Sequence, residues 1–160
     1  EYLFTYCNSL ISITIPSSVK SIGNYAFYEC SSLKDILIPS SVNFIGVNAF
    51  EYCSSLTEIA LPSSITSIKD RTFADCYSLV KIFIPPSVTS ISDFAFENCE
   101  SLTHITIPSS VKSIGENAFD GCESLVQIVL HPHINLQNLG ISPNVEIIRN
   151  SQCFPSCVIQ

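Results

Sequence analysis

The sequence predicts a solenoid. Coils of 23 residues stack on one another, each giving one strand to a parallel β-sheet, with a short second strand and a single helical turn on the other side. Two observations carry this. Cys7, Cys30, Cys53, Cys76, Cys99 and Cys122 lie 23 residues apart throughout, as do the phenylalanines from Phe4 to Phe119 and the leucines from Leu10 to Leu125. Pro16, Pro39, Pro62, Pro85 and Pro108 keep the same step, so no residue is inserted or lost over these periods. A period without slippage belongs to a chain whose units touch only their neighbours, rather than to one or two globular domains.

Each element follows from one unit, LKDILIPSSVNFIGVNAFEYC, residues 33–53. Leu33, Ile36 and Ile38 point inward and alternate with outward residues, and a short β-branched run of this kind suits one parallel strand. Pro39 ends the strand because it has no N–H to offer the next coil. Ser40 and Ser41 supply hydroxyls to the turning backbone. Val42 and Ile45 read as the second short strand, Gly46 as a tight corner, and Ala49, Phe50 and Cys53 as one inward-facing turn of helix. The corner residue varies as Gly23, Gly46, Lys69, Ser92 and Gly115, so glycine is preferred there but not required. A single unit exposes both faces of its core, and only stacking covers them.

The repeats occupy residues 1–130. After Leu130 the period fails, and residues 131–150 read as a C-terminal cap in which Val145, Ile147 and Ile148 make a last strand across the open end. Residues 151–160 form a separate tail. The chain contains no Met and opens on EYLFTYC, in step with the later NYAFYEC, so it begins inside a repeat and further repeats are expected upstream.

Seven basic against 14 acidic residues give a net charge of −7, which speaks against a nucleic-acid partner and against simple attraction to an anionic membrane. No apolar run approaches the roughly 18 residues of a membrane-spanning helix. The six periodic cysteines read as small core hydrophobes with free thiols, which favours a reducing compartment, although stacked coils bring them near disulfide range.

At NAFEYCSSLTEIALPSSITSI the sequence resembles the BspA-like leucine-rich-repeat family, whose units read A-F-x-x-C-x-S-L-x-x-I-x-I-P-S-S-V-x-x-I-G. The resemblance covers residues 1 to about 130. It implies a gently curved leucine-rich-repeat solenoid without enzymatic activity. It also implies work in adhesion and protein binding, for some members at the cell surface of host-associated microbes.

A scaffold of this kind binds a protein ligand through the outward residues of its strand face. Those residues are Ile11, Ser12 and Thr14, then Lys34, Asp35 and Leu37, then Thr57, Glu58 and Ala60. They continue as Val80, Lys81 and Phe83, Thr103, His104 and Thr106, and Val126, Gln127 and Val129. Asp35, Leu37, Glu58, Lys81, Phe83, His104, Thr106 and Gln127 are the candidate contact residues, with Leu37 and Phe83 as apolar anchors among polar neighbours.

No catalytic constellation, phosphate loop or small-molecule site is legible, and neither a cofactor nor a metal is expected. His131 and His133 in HPH lack a third ligand and read as a solvated cap loop. A catalytic cysteine is disfavoured because burial raises a thiol's pKa and lowers its reactivity.

Cys153 and Cys157 fall outside the 23-residue period. Cys157-Val158-Ile159-Gln160 fits the C-a-a-X prenylation signal, its final Gln favouring a farnesyl group, and some protozoan members of the resembled family end in such a box. One lipid chain anchors only marginally, and Cys153 offers a palmitoylation site as the second signal. The alternatives are an unmodified tail, or a disulfide or metal pair between the two cysteines. The resulting expectation is a binding scaffold anchored on the cytoplasmic leaflet of the plasma membrane. The competing expectation is an adhesin displayed at the cell surface and binding a host matrix protein.

Overall fold

The computed structural model describes residues 2–151. Each coil contributes a strand to a first wall: β1 (Ser12–Thr14), β3 (Asp35–Leu37), β5 (Glu58–Ala60), β7 (Lys81–Phe83), β9 (His104–Thr106) and β11 (Gln127–Leu130). A two-residue strand follows in a second wall: β2 (Ser21–Ile22), β4 (Phe44–Ile45), β6 (Ser67–Ile68), β8 (Ser90–Ile91) and β10 (Ser113–Ile114). Every strand pair is parallel and keeps the 23-residue register from coil to coil, as in Ile59 opposite Ile82 and Ile68 opposite Ile91. The exception is β12 (Glu146–Arg149), which leaves the repeat and pairs with β11, Ile128 opposite Ile147. The fold is therefore a parallel β-solenoid of about six turns, as the period requires.

The expected helical turns are absent, since no helix occurs among the described residues. Residues 24–31, 47–54, 70–77, 93–100 and 116–123 form instead a third side of the coil, the turn wall. Two residues in each of these segments hold a positive φ: Tyr25 and Glu29, Asn48 and Tyr52, Arg71 and Asp75, Phe94 and Asn98, Asn117 and Gly121. A left-handed residue every fourth position breaks a right-handed helix.

The physical reason lies in the hydrogen bonds. Tyr25, Phe27 and Glu29 donate their amides to the carbonyls of Val47, Ala49 and Glu51 at 3.0, 2.8 and 2.8 Å. Between them, Ala26 and Tyr28 donate back to Gly23 and Tyr25 within their own coil. A helix would use every amide inside the coil and leave nothing to join it to the next. The spacing of Ala49, Phe50 and Cys53 keeps those side chains inside in either conformation.

The core runs as ladders along the axis. Phe4, Phe27, Phe50, Phe73, Phe96 and Phe119 stack face to face, with centroids 5.2–5.7 Å apart and rings within 8° of parallel. Each of the next coil's thiols donates to the carbonyl of the phenylalanine before it: Cys53 to Phe27, Cys76 to Phe50 and Cys99 to Phe73, all at 3.2 Å. The serine two residues after the strand-ending proline does the same on another side, Ser41 to Val19 and Ser87 to Ile65 at 2.7 Å. These hydroxyls therefore satisfy the preceding coil's backbone.

The corner glycines are explained by the coil below them. Asn24 Oδ1 accepts the amide of Val47 at 3.0 Å, and a Cβ on Gly46 would lie 2.4 Å from that oxygen. Asp93 Oδ1 accepts from Glu116 at 2.9 Å and would meet a Cβ on Gly115 at 2.2 Å. Backbone crowds the same space, with Asn24 N 2.5 Å and Asp93 N 2.4 Å from the added Cβ atoms.

Candidate functional site

The strand wall presents two outward columns in register. One runs through Ser12 and Asp35, Glu58 and Lys81, His104 and Gln127, and the other through Thr14 and Leu37, Ala60 and Phe83, Thr106 and Val129. The buried isoleucine between the columns hardly varies (Ile36, Ile59, Ile82, Ile105, Ile128), whereas the outward residues change in charge and size. Of the candidate residues, Asp35, Leu37, Glu58, Lys81, Phe83, His104 and Thr106 are exposed, and Gln127 is half-buried. Leu37 is 78% exposed and Phe83 47%, unusually open for side chains of their size. Ile11, Val80 and Val126, immediately before β1, β7 and β11, add exposed apolar surface.

The polar groups of this face are lightly engaged. Lys81 Nζ lies 3.9 Å from Glu58 Oε1, an exposed pair that water screens, and Gln127 donates to Glu146 Oε2 at 2.8 Å. Such side chains remain available to a ligand.

Among the described residues, the thiols from Cys30 to Cys122 are buried, and the histidines after β11 are engaged with each other and with the preceding coil. Burial pushes the Cys30 thiol up to about 11 and Cys122 to about 12, and raises Cys53, Cys76 and Cys99 as well. Thiols so protonated and hydrogen-bonded are poor nucleophiles. His133 approaches the Val111 carbonyl at 2.6 Å and His131 Nδ1 at 2.5 Å, so the pair ties the loop after β11 to the preceding coil. Among the described residues no group of three or more His, Cys, Asp or Glu is arranged to hold a metal ion. Cys153 and Cys157 lie outside the described residues.

The turn wall carries side chains that the strand pattern does not announce. All six tyrosines of the chain stand on it, at Tyr2, Tyr6, Tyr25, Tyr28, Tyr52 and Tyr77. They occupy four different positions of the repeat, which is why no periodic tyrosine is visible in the sequence. Their common location emerges only when the repeats are aligned and those four positions are placed on one side.

A stack of parallel coils with a buried, nearly invariant interior and a variable outer strand face defines a leucine-rich-repeat protein. Solenoids of this class are typically non-enzymatic, and generally bind other proteins. The chain belongs to the BspA type leucine-rich-repeat family, whose repeat region is matched by six copies over residues 1–126. It is similar to the leucine-rich repeat protein TpLRR of T. pallidum at 33% identity and a TM-score of 0.79, over 88% of this chain and 69% of that one. It also resembles a leucine-rich cell surface protein of Faecalibacterium prausnitzii at 36% identity and a TM-score of 0.60, over 78% of this chain and 41% of that one. A leucine-rich-repeat protein of Bacteroides ovatus is 29% identical with a TM-score of 0.72, over 89% of this chain and 47% of that one. The chain thus spans less than half the length of the latter two. No curated protein is matched.

Proposed function

We propose that the chain is a non-enzymatic protein-binding scaffold whose strand wall recognises its ligand. One observation carries the reading: large apolar side chains, Leu37 and Phe83, stand open to solvent in one outward column of a wall whose inner residues are nearly constant. Polar side chains from Asp35, Glu58, Lys81, His104, Thr106 and Gln127 flank them, as a rim surrounds the anchors of a binding interface. A photo-crosslinking residue placed at Ala60, between the anchors, is expected to capture the partner in the cells that make the protein, and one at Asn43, in the loop before β4, is not. Phe83→Asp should weaken the captured partner's binding at least about 30-fold, the effect of losing a hot spot of ~2 kcal/mol, with an unchanged circular-dichroism spectrum. Binding that survives this substitution overturns the assignment of the face.

The scaffold is further proposed to be held at the plasma membrane, on the cytoplasmic leaflet, by a prenyl group on Cys157 with palmitoylation of Cys153. The support is the C-a-a-X pattern of residues 157–160, a signal that acts only at a protein's own C-terminus. Metabolic labelling with a farnesyl analogue, comparing wild type with Cys157→Ser, tests it. Label and membrane partitioning should both be lost in the variant, and equal partitioning removes the lipid. The second reading, a surface-displayed adhesin for a host matrix protein, is favoured by the likeness to a cell surface protein. Biotinylation of intact cells separates the two, because only the adhesin would be labelled.

A further inference from the structure

We infer that the turn wall is a second recognition surface, distinct from the strand wall, and that it takes an arginine-rich segment of a partner protein. Five tyrosines make a connected aromatic patch at one end of this wall. Tyr2 stacks on Tyr25 at 5.1 Å, Tyr25 meets Tyr28 edge-on at 5.7 Å, and Tyr28 in turn meets Tyr6 and Tyr52 at 5.6 and 5.8 Å. Tyr2 and Tyr6 are 60% and 62% exposed, and Tyr52 and Tyr77 are also open to solvent. Aromatic surface of this extent outside a core marks an interaction site rather than scattered surface hydrophobes.

The charge around the patch selects the ligand. Residues 24–31, 47–54, 70–77, 93–100 and 116–123 hold ten acidic side chains and a single basic one, Arg71. The carboxylates border the rings directly. Burial together with Glu51 and Glu29 holds the Tyr28 phenol above its ordinary pKa, Asp75 does so at Tyr52, and Tyr77 donates to Asp75 Oδ1 at 3.0 Å. A surface that joins exposed aromatic faces to a wall of ten acidic side chains and one basic one suits a planar cation. The guanidinium stacks on rings while its N–H groups pair with carboxylates, which a compact ammonium does less well.

The wall already binds one such group. Arg71 lays its guanidinium over the Phe94 ring, Cζ 4.2 Å from the centroid, and donates to Glu97. Phe94 is the next coil's counterpart of Arg71, just as Tyr25 is the next coil's counterpart of Tyr2. The internal arginine is therefore a worked instance of the proposed contact, on the same column of the same wall. Toward the tyrosine end the exposed rings of Tyr2, Tyr6 and Tyr52 stand with the half-buried Glu29, whereas the buried Glu51 is already engaged by Asn48.

The test is fluorescence anisotropy with labelled nona-arginine and nona-lysine peptides at several salt concentrations. Nona-arginine is expected to bind more tightly than nona-lysine. The triple variant Tyr2→Ala, Tyr6→Ala, Tyr52→Ala, which changes no charge, should weaken it about tenfold or more by removing three stacking faces. Neutralising the strand wall instead, with Asp35→Asn and Glu58→Gln, should leave the affinity within about twofold. Equal binding of the two peptides, or equal losses from the two variants, would mean bulk charge alone and would overturn the inference, as would a failure of nona-arginine to bind. The fold of each variant is checked by circular dichroism and by protection of the buried thiols.

Discussion

In the strand wall, Ile59 and Ile82 lie in register on extended backbone, and the parallel ladder joins one coil to the next. In the turn wall, Phe50 and Phe73 lie in the same relation, yet their backbone alternates between right- and left-handed residues. There the joining is shared between every second amide, a stacked ring and a thiol donating to a carbonyl. The difference shows that a repeat needs an inter-coil bond on every side, and that extended strand is only one way to provide it. It also divides the molecule's surface. Alternation on the strand wall exposes one residue in two, while the turns carry rings and carboxylates outward in clusters.

The largest effect should come from breaking the ring ladder of the turn wall. Phe73 is fully buried between Phe50 and Phe96, at 5.6 and 5.7 Å, and Phe73→Ala is expected to cost ~3–5 kcal/mol. Phe4 is only half-buried and has one described ring neighbour, Phe27 at 5.3 Å, so Phe4→Ala should cost roughly 1–2 kcal/mol. Urea unfolding of both variants checks this. Equal losses would mean that stacking on two sides adds nothing to stacking on one, and the contrast between the walls would reduce to backbone geometry.

What could be read from the sequence follows the same division. The strand wall was legible because a period of two and a period of 23 coincide there, so the inward Ile36, Ile59 and Ile82 and the outward Leu37 and Phe83 separate without a structure. The turn wall was not, because Ala-Phe-x-x-Cys places its apolar residues inside for a helix and for a chain of turns alike. Glycine, the residue that normally betrays positive φ, is found at only one of its ten left-handed positions between Tyr25 and Gly121. Tyr25, Glu29, Arg71 and Phe94 hold that conformation because the inter-coil bonds impose it, which is a tertiary effect. The corner glycines were legible as a preference, but the close approach of Asn24 to Gly46 and of Asp93 to Gly115 depends on a contact 22 residues away.

The smallest effect tests whether the turn wall carries an electrostatic burden that the strand wall, with its exposed charges, escapes. Glu51 is buried, at 6% exposure, and accepts from Asn48. Burial raises its pKa, Asp75 and Glu97 push in the same direction, and the Asn48 hydrogen bond and Arg71 oppose them without prevailing. A carboxyl whose folded pKa lies above its unfolded value contributes stability below the unfolded value, near 4.5, and loses it as pH rises through the folded one. Glu51→Gln keeps the shape and an acceptor for Asn48 but never ionises. Its melting temperature relative to wild type should therefore climb as the pH is raised above about 4.5. A difference that is flat with pH, or wild type gaining on the variant as pH rises, would show that Asn48 and Arg71 hold the carboxylate ionised at no cost, and that the two walls are electrostatically alike.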